Sequence, residues 1–222
     1  MKHTLRSLAL AIGLLTVAAS NAGAQSTPTP AGSIEVAPAL CAAEPISTDH
    51  AAALLATPVP VPDQPLTDQG LVALPTGSPA DDATVAAISD VLTQLWACNN
   101  AQNKAAVFGL FTDQALQETI GFTGGASWDE ADLRAEVASA LTPGEPRPQE
   151  EWATIDAIVS VTSYPDGQVG VLVLNTDPAV AEGDQVLDYF RFEPDTDGGT
   201  KVSQVILDPY DLTADYGFEK TA

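Results

Sequence analysis

Thr154-Ile155-Asp156-Ala157-Ile158-Val159-Ser160-Val161-Thr162 is where the chain changes its period. Ile155, Ala157, Val159 and Val161 alternate with Thr154, Asp156, Ser160 and Thr162, and only Ile158 breaks the polar row. Alternation at period two is the mark of a half-buried strand. Tyr164-Pro165-Asp166-Gly167 follows as a hairpin turn, because Asp-Gly takes the positive backbone angles that tight turns demand. Three further strands are predicted downstream, at 168–175, 185–193 and 200–208, joined by turns at 177–184 and 195–199.

Upstream of Trp152 the apolar spacing is helical. Ser78-Pro79-Ala80-Asp81-Asp82 reads as a helix start, with a cap hydroxyl, proline at the first helical position and acids in the first turn. Val85, Ile88, Leu92 and Leu95 recur at steps of three and four, and Asn99-Asn100 is the predicted stop. A second helix is predicted over 102–111, followed by a shorter turn capped at Thr112-Asp113. Ser127-Trp128-Asp129-Glu130 is a capping box that opens a third, with Leu133, Val137 and Leu141 as its stripe and Pro143 as its end. Helices first and an antiparallel meander second predict an α+β domain: three N-terminal helices packed on a mainly antiparallel sheet of four to five strands.

The residues before this domain fall into two parts. Residues 1–24 have a basic start at Lys2 and Arg6, an apolar run from Leu8 to Ala19, and small residues at Ala22 and Ala24. That order is a cleavable signal peptide, and the run is shorter than the roughly 20 residues a spanning helix needs. A secreted or extracytoplasmic destination with no integral membrane segment is therefore expected. Residues 25–77 form a Pro/Ala/Thr-rich leader, since ten of the 17 prolines lie between Thr27 and Pro79. One short helix is expected inside it, at about Asp49 to Leu55. The domain itself is assigned to 78–212, with a C-terminal tail at 213–222.

Cleavage would remove two of the 8 basic residues, leaving six against 30 acidic ones and a net charge of −24. Such a chain repels nucleic acid and anionic membranes, so no nucleic-acid partner is expected. Cys41 and Cys98 are the only cysteines, and in an exported chain they are expected to form a disulfide that straps the leader to the domain.

Three passages resemble the nuclear transport factor 2-like superfamily in its exported bacterial members: Val85-Ala86-Ala87-Ile88, Trp96-Ala97-Cys98-Asn99-Asn100-Ala101 and Gly109-Leu110-Phe111-Thr112-Asp113. Gly167-Gln168-Val169-Gly170, Asp188-Tyr189-Phe190-Arg191-Phe192 and Ile206-Leu207-Asp208 fit that family's strands, while Gly199-Thr200-Lys201-Val202 departs from the Gly-x-Trp of its final hairpin. The resemblance implies a curved sheet wrapped against helices as a cone with a cavity at its open end, often dimeric through the exposed sheet face. It implies no single reaction, because the family's fold hosts many activities.

For catalysis of the isomerase or lyase kind, the domain needs a pocket carboxylate and a proton donor. Asp188 is the first base candidate, because alternation places it on the face of Val186, Phe190 and Phe192; Asp156 is the second. Tyr164 and Tyr189 are the donor candidates, though Tyr189 alternates away from Asp188. His3 leaves with the signal and His50 lies in the leader, so the domain itself holds no histidine for a metal cluster or triad, and neither a metal nor another cofactor is expected. Trp128, Trp152, Phe108 and Phe111 are candidates for lining an apolar ligand pocket. These readings favour an exported module that binds a small apolar ligand or a protein partner, with a cofactor-free isomerase or lyase using Asp188 or Asp156 as the alternative.

Overall fold

The computed structural model describes residues 33–56, 74–119, 130–178, 185–195 and 198–206. The segment 1–24 expected to be a signal peptide, the Pro-rich stretch 57–73, Trp128 with most of the expected capping box, and the expected C-terminal tail lie outside them. The described chain runs β1 (Ile34–Glu35), α1 (Thr48–Leu55), β2 (Ser78–Pro79), α2 (Asp82–Asn100), α3 (Lys104–Gly109), α4 (Asp113–Thr119), α5 (Glu130–Leu141), β3 (Thr154–Ser163), β4 (Val169–Thr176), β5 (Gln185–Pro194) and β6 (Thr200–Ile206). It is an α+β domain whose antiparallel sheet has the order β1-β3-β4-β5-β6, with β2 also paired to β3. Five α-helices are described: α1 lies in the leader, where one short helix was expected, and the shorter turn expected after Thr112 is the helix α4, which Thr112 opens by accepting the Ala115 amide on its Oγ1 at 3.1 Å.

The helical start expected at Ser78 is displaced. Ser78 and Pro79 pair with Ser163 and Thr162, and Asp81 caps α2 by accepting the Thr84 amide at 2.7 Å. A carboxylate two residues before the first apolar helical position satisfies an orphan amide as well as a hydroxyl would, which frees the Ser-Pro pair for the sheet edge. The same hydrogen bond from the Thr84 backbone holds the Asp81 carboxyl below its ordinary value. In α1, Ser47 is the cap, accepting from the His50 amide at 3.2 Å.

Two cores lie on opposite faces of the sheet. On the helix-facing side, Ile155, Val171, Val173, Phe190, Phe192 and Val202 pack against Ile88, Leu92, Leu95 and Trp96 of α2, with Phe111, Ala115 and Leu116 closing the end. On the outer side, Leu172, Leu174, Leu187, Tyr189 and Ile206 form a second buried cluster, joined by Leu74, Ala157 and Val159. Register shifts at Ile155/Ala157 and Ile158/Ser160 add residues to β3. They explain why Ile158 breaks the polar row: after each bulge the facing resets, so Ile158 and Val161 both join the helix-facing core.

Residues 33–56 do more than lie across the domain. Val36 is 1% exposed inside the main core. Cys41 is bonded to Cys98, which is fully buried on α2. The chain then passes so close to α3 that a Cβ on Gly109 would strike the Glu44 carbonyl, and Ile46 donates its amide to Ala105 O at 2.9 Å. Gly109→Ala is therefore expected to cost about 1–3 kcal/mol, seen as a lowered urea midpoint with an unchanged slope. The proline-free run Ser33-Ile34-Glu35-Val36 is what permits a strand here.

Candidate functional site

Asp188 lies on β5 with Phe190 and Phe192, on the helix-facing side, and is 7% exposed. Its nearest described polar neighbour comes from β4. Asn175 is 4% exposed and donates Nδ2 to Asp188 Oδ2 at 2.9 Å and to the Val186 carbonyl at 3.3 Å. The register sets this pair: Val173 stands opposite Asp188 and Asn175 opposite Val186, so the two polar side chains meet on a diagonal within one face. A carboxylate taken out of water needs donors to offset its desolvation, and a neutral amide supplies one without cancelling the charge. Arg191 Nη2 bonds Asp166 at 2.8 Å, and Arg134 lies 3.5 Å from Asp49.

Asp156 is a different kind of group. It sits at the bulged start of β3 and accepts four hydrogen bonds: from Ser33 Oγ at 2.7 Å, Thr154 Oγ1 at 3.0 Å, Thr176 Oγ1 at 2.7 Å and Gln185 Nε2 at 2.9 Å. Burial works to raise its carboxyl, but the bonds from Thr176, Ser33, Gln185 and Thr154 outweigh that and hold it below its ordinary value. The result is a fixed anion clamping β1's approach to β3, β4 and β5, poorly suited to take up a proton. Because the folded value lies below the unfolded one, its stabilisation is complete above about pH 4 and is lost as pH falls through the folded value. The urea midpoint is expected to drop as pH falls below about 4, with a shallower drop in Asp156→Ala.

The tyrosines are brought together, but away from Asp188. Tyr164 and Tyr189 share a hydroxyl–hydroxyl bond of 3.1 Å on the outer side of the sheet. Tyr164 lies across Gly170, where any Cβ would strike its ring and hydroxyl, and Arg191 stacks over that ring at 5.4 Å from its centroid. The carboxylate and the proton donors thus occupy opposite faces of one sheet.

The aromatic candidates do not line a single wall. Phe111 is buried in the main core, and its neighbours Leu110 and Thr112 exchange backbone bonds of 2.8 and 2.9 Å with Val202 of β6. Phe108 packs between the main core and the small cluster of α1, α3 and α5. Trp152 is half-buried and donates its indole N–H to the Arg147 carbonyl at 2.9 Å. Trp128 lies outside the described residues. Among the described residues no group of three or more His, Cys, Asp or Glu side chains could hold a metal ion, and no helix is long and apolar enough to cross a membrane. Asp195 pairs with Lys201 at 3.3 Å, donates its amide to Gly199 O at 2.9 Å and accepts the Gly198 amide at 3.0 Å.

Two polar residues that sequence reasoning passed over prove central. Asn175 interrupts the apolar row Val171-Leu172-Val173-Leu174, and a polar side chain at the end of such a row is the signal that could have found it. Asn100, read as a helix stop, is fully buried: its Nδ2 donates to Val36 O at 2.9 Å and Ala153 O at 3.0 Å, and its Oδ1 accepts the Ala153 amide at 2.9 Å. With that side chain committed, the left-handed turn after α2 falls on Gln102, at φ 52°. Compared with known protein families, with curated proteins and with solved structures, the chain matches none.

Proposed function

We propose that this chain is an exported binding module of the nuclear transport factor 2-like kind, which takes up a small apolar molecule on the helix-facing side of its sheet. The observation that carries this reading is the buried Asn175–Asp188 pair set into an otherwise apolar wall beside Val173 and Phe190. Ligand sites combine such apolar walls with a few convergent polar groups that fix orientation. A carboxylate there accepts a hydrogen bond, so the favoured ligand carries a hydroxyl or amine donor on an apolar body. The cone reading is supported by the order of helices before an antiparallel meander and by the bulges that bend β3. The export reading is supported by the Cys41–Cys98 bond, which persists in oxidising compartments.

Binding is favoured over isomerase or lyase chemistry by the separation of the tyrosine hydroxyls from Asp188 and by the saturation of Asp156. The test is fluorescence titration with 2-naphthol, an apolar body with one hydroxyl. It is expected to bind about tenfold more tightly than 2-methoxynaphthalene, and Asp188→Asn is expected to remove most of that preference. Equal affinity for the two compounds would remove Asp188 from the reading, and no binding of either would count against the module itself.

A further inference from the structure

Arg191 carries a donor that the fold does not use. Among the described residues two buried side-chain atoms have no hydrogen-bond partner, Arg191 Nε and Ser203 Oγ. Both belong to one place in the sheet: β5 and β6 shift register between Arg191 and Phe192, which pair with Gln204 and Val202 and leave Ser203 over. Buried polar groups are nearly always paired, and a charged donor left without an acceptor is unfavourable. The two orphans mark this bulge as a place whose hydrogen bonding the chain's own groups do not complete.

The rest of the guanidinium is held. It lies 5.4 Å from the centroid of the Tyr164 ring, which crosses Gly170 and is itself tied to Tyr189 by the hydroxyl bond of 3.1 Å. Nε and Nη2 form one edge of the guanidinium, with two parallel N–H groups that match the two oxygens of a carboxylate. On that edge Asp166 Oδ2 accepts from Nη2 at 2.8 Å, while Asp166 Oδ1 accepts the Gln168 amide at 3.0 Å inside its own turn. A carboxylate divided in this way cannot meet both donors of the edge. The Asp166 side chain is also 51% exposed, so it can leave the edge for water.

We propose that the Nε–Nη2 edge of Arg191 is a binding site for a small carboxylate, and that Asp166 is its exchangeable resident. The incoming carboxylate takes both N–H groups, and Asp166 keeps its bond to the Gln168 amide. Binding proceeds by exchange and not by addition, because Glu193 stands two residues along β5 and the chain carries a net charge of −22. A second anion set beside Asp166 would be repelled, whereas one carboxylate replacing another leaves the local charge as it was. The gain is a second charge-assisted hydrogen bond, made by a donor that otherwise has none; the loss is a half-exposed ion pair of modest worth. The site lies on the outer side of the sheet, with the tyrosines, and is independent of the helix-facing wall around Asp188.

The experiment is a titration of the isotope-labelled chain from Gln25 onward with benzoate, at an ionic strength held by sodium chloride. The readout is the Nε–H resonance of Arg191 in a proton–nitrogen correlation spectrum, assigned through bonds to its own backbone. It is expected to shift saturably, with half-saturation at about 1–10 mM. Benzamide, the same body without the charge, is expected to act at least about tenfold more weakly. Asp166→Asn keeps an acceptor for the Gln168 amide but removes the resident carboxylate, and is expected to tighten benzoate about two- to fivefold. A resonance unmoved by benzoate up to about 50 mM would overturn the proposal, and so would an equal response to benzamide. Unchanged affinity in Asp166→Asn would overturn the exchange.

Discussion

Replacing Cys41 and Cys98 together by serine is expected to lower the unfolding free energy by about 4 kcal/mol, because the bond closes a loop spanning 57 positions and restricts the unfolded chain accordingly. The native state contributes a second reason. Cys98 is fully buried on α2, Cys41 packs against the main core, and Gln94 on the same helix flanks the bond by accepting the Ala42 amide at 2.8 Å and donating to Leu40 O at 3.1 Å. Loss of the bond thus leaves two hydroxyls beside a core built for sulfur. Urea unfolding of the reduced wild type should show most of the same loss, with the double serine variant lower still by about 1–3 kcal/mol for its buried hydroxyls.

Asn100→Leu is expected to cost about 3–5 kcal/mol, the largest effect of any single substitution considered. The side chain is fully buried and serves three backbone groups, Val36 O, Ala153 O and the Ala153 amide. Leucine fills a similar volume but satisfies none of them, and each orphaned buried group costs roughly 1–3 kcal/mol. Asn100→Asp keeps an acceptor for the Ala153 amide but turns a carboxylate toward two carbonyls, so it is expected to fall in the same range. Because Asn100 and Cys98 anchor the same leader segment, the triple variant with both cysteines replaced should lose less than the sum of the separate effects. Chemical denaturation of the four proteins in one buffer measures that coupling.

The elements after Trp152 were legible because strand alternation and turn chemistry act over a few residues. β3 to β6 fall within two residues of the expected bounds, and Gly167 and Gly198 take the positive φ values that their turns require. The face of Asp188 was legible for the same reason: a period of two carries Phe190 and Phe192 with it and sends Tyr189 to the other side. What sequence could not carry was the partner of each group. Asn175 meets Asp188 only through the β4–β5 register, and Tyr164 meets Tyr189 only because Gly170 leaves room for its ring.

The leader shows the other limit. Proline content argued against regular structure across 25–77, yet four proline-free residues, 33–36, supply β1 and a core valine. Their place is decided by contacts more than 50 positions away, with Asn100 and with Thr154 and Ile155. Ser78-Pro79 was misread for a related reason: proline suits a first helical turn and an edge strand equally, and the open edge of β3 decided between them.

Native mass spectrometry of the protein purified unreduced from its own source tests at once the proposed export, the disulfide strap and the proposed small apolar ligand. The expected result is a chain beginning at Gln25, two hydrogens lighter than its thiol form, carrying one additional small-molecule mass that is lost on unfolding. A bare chain with two free thiols would contradict it.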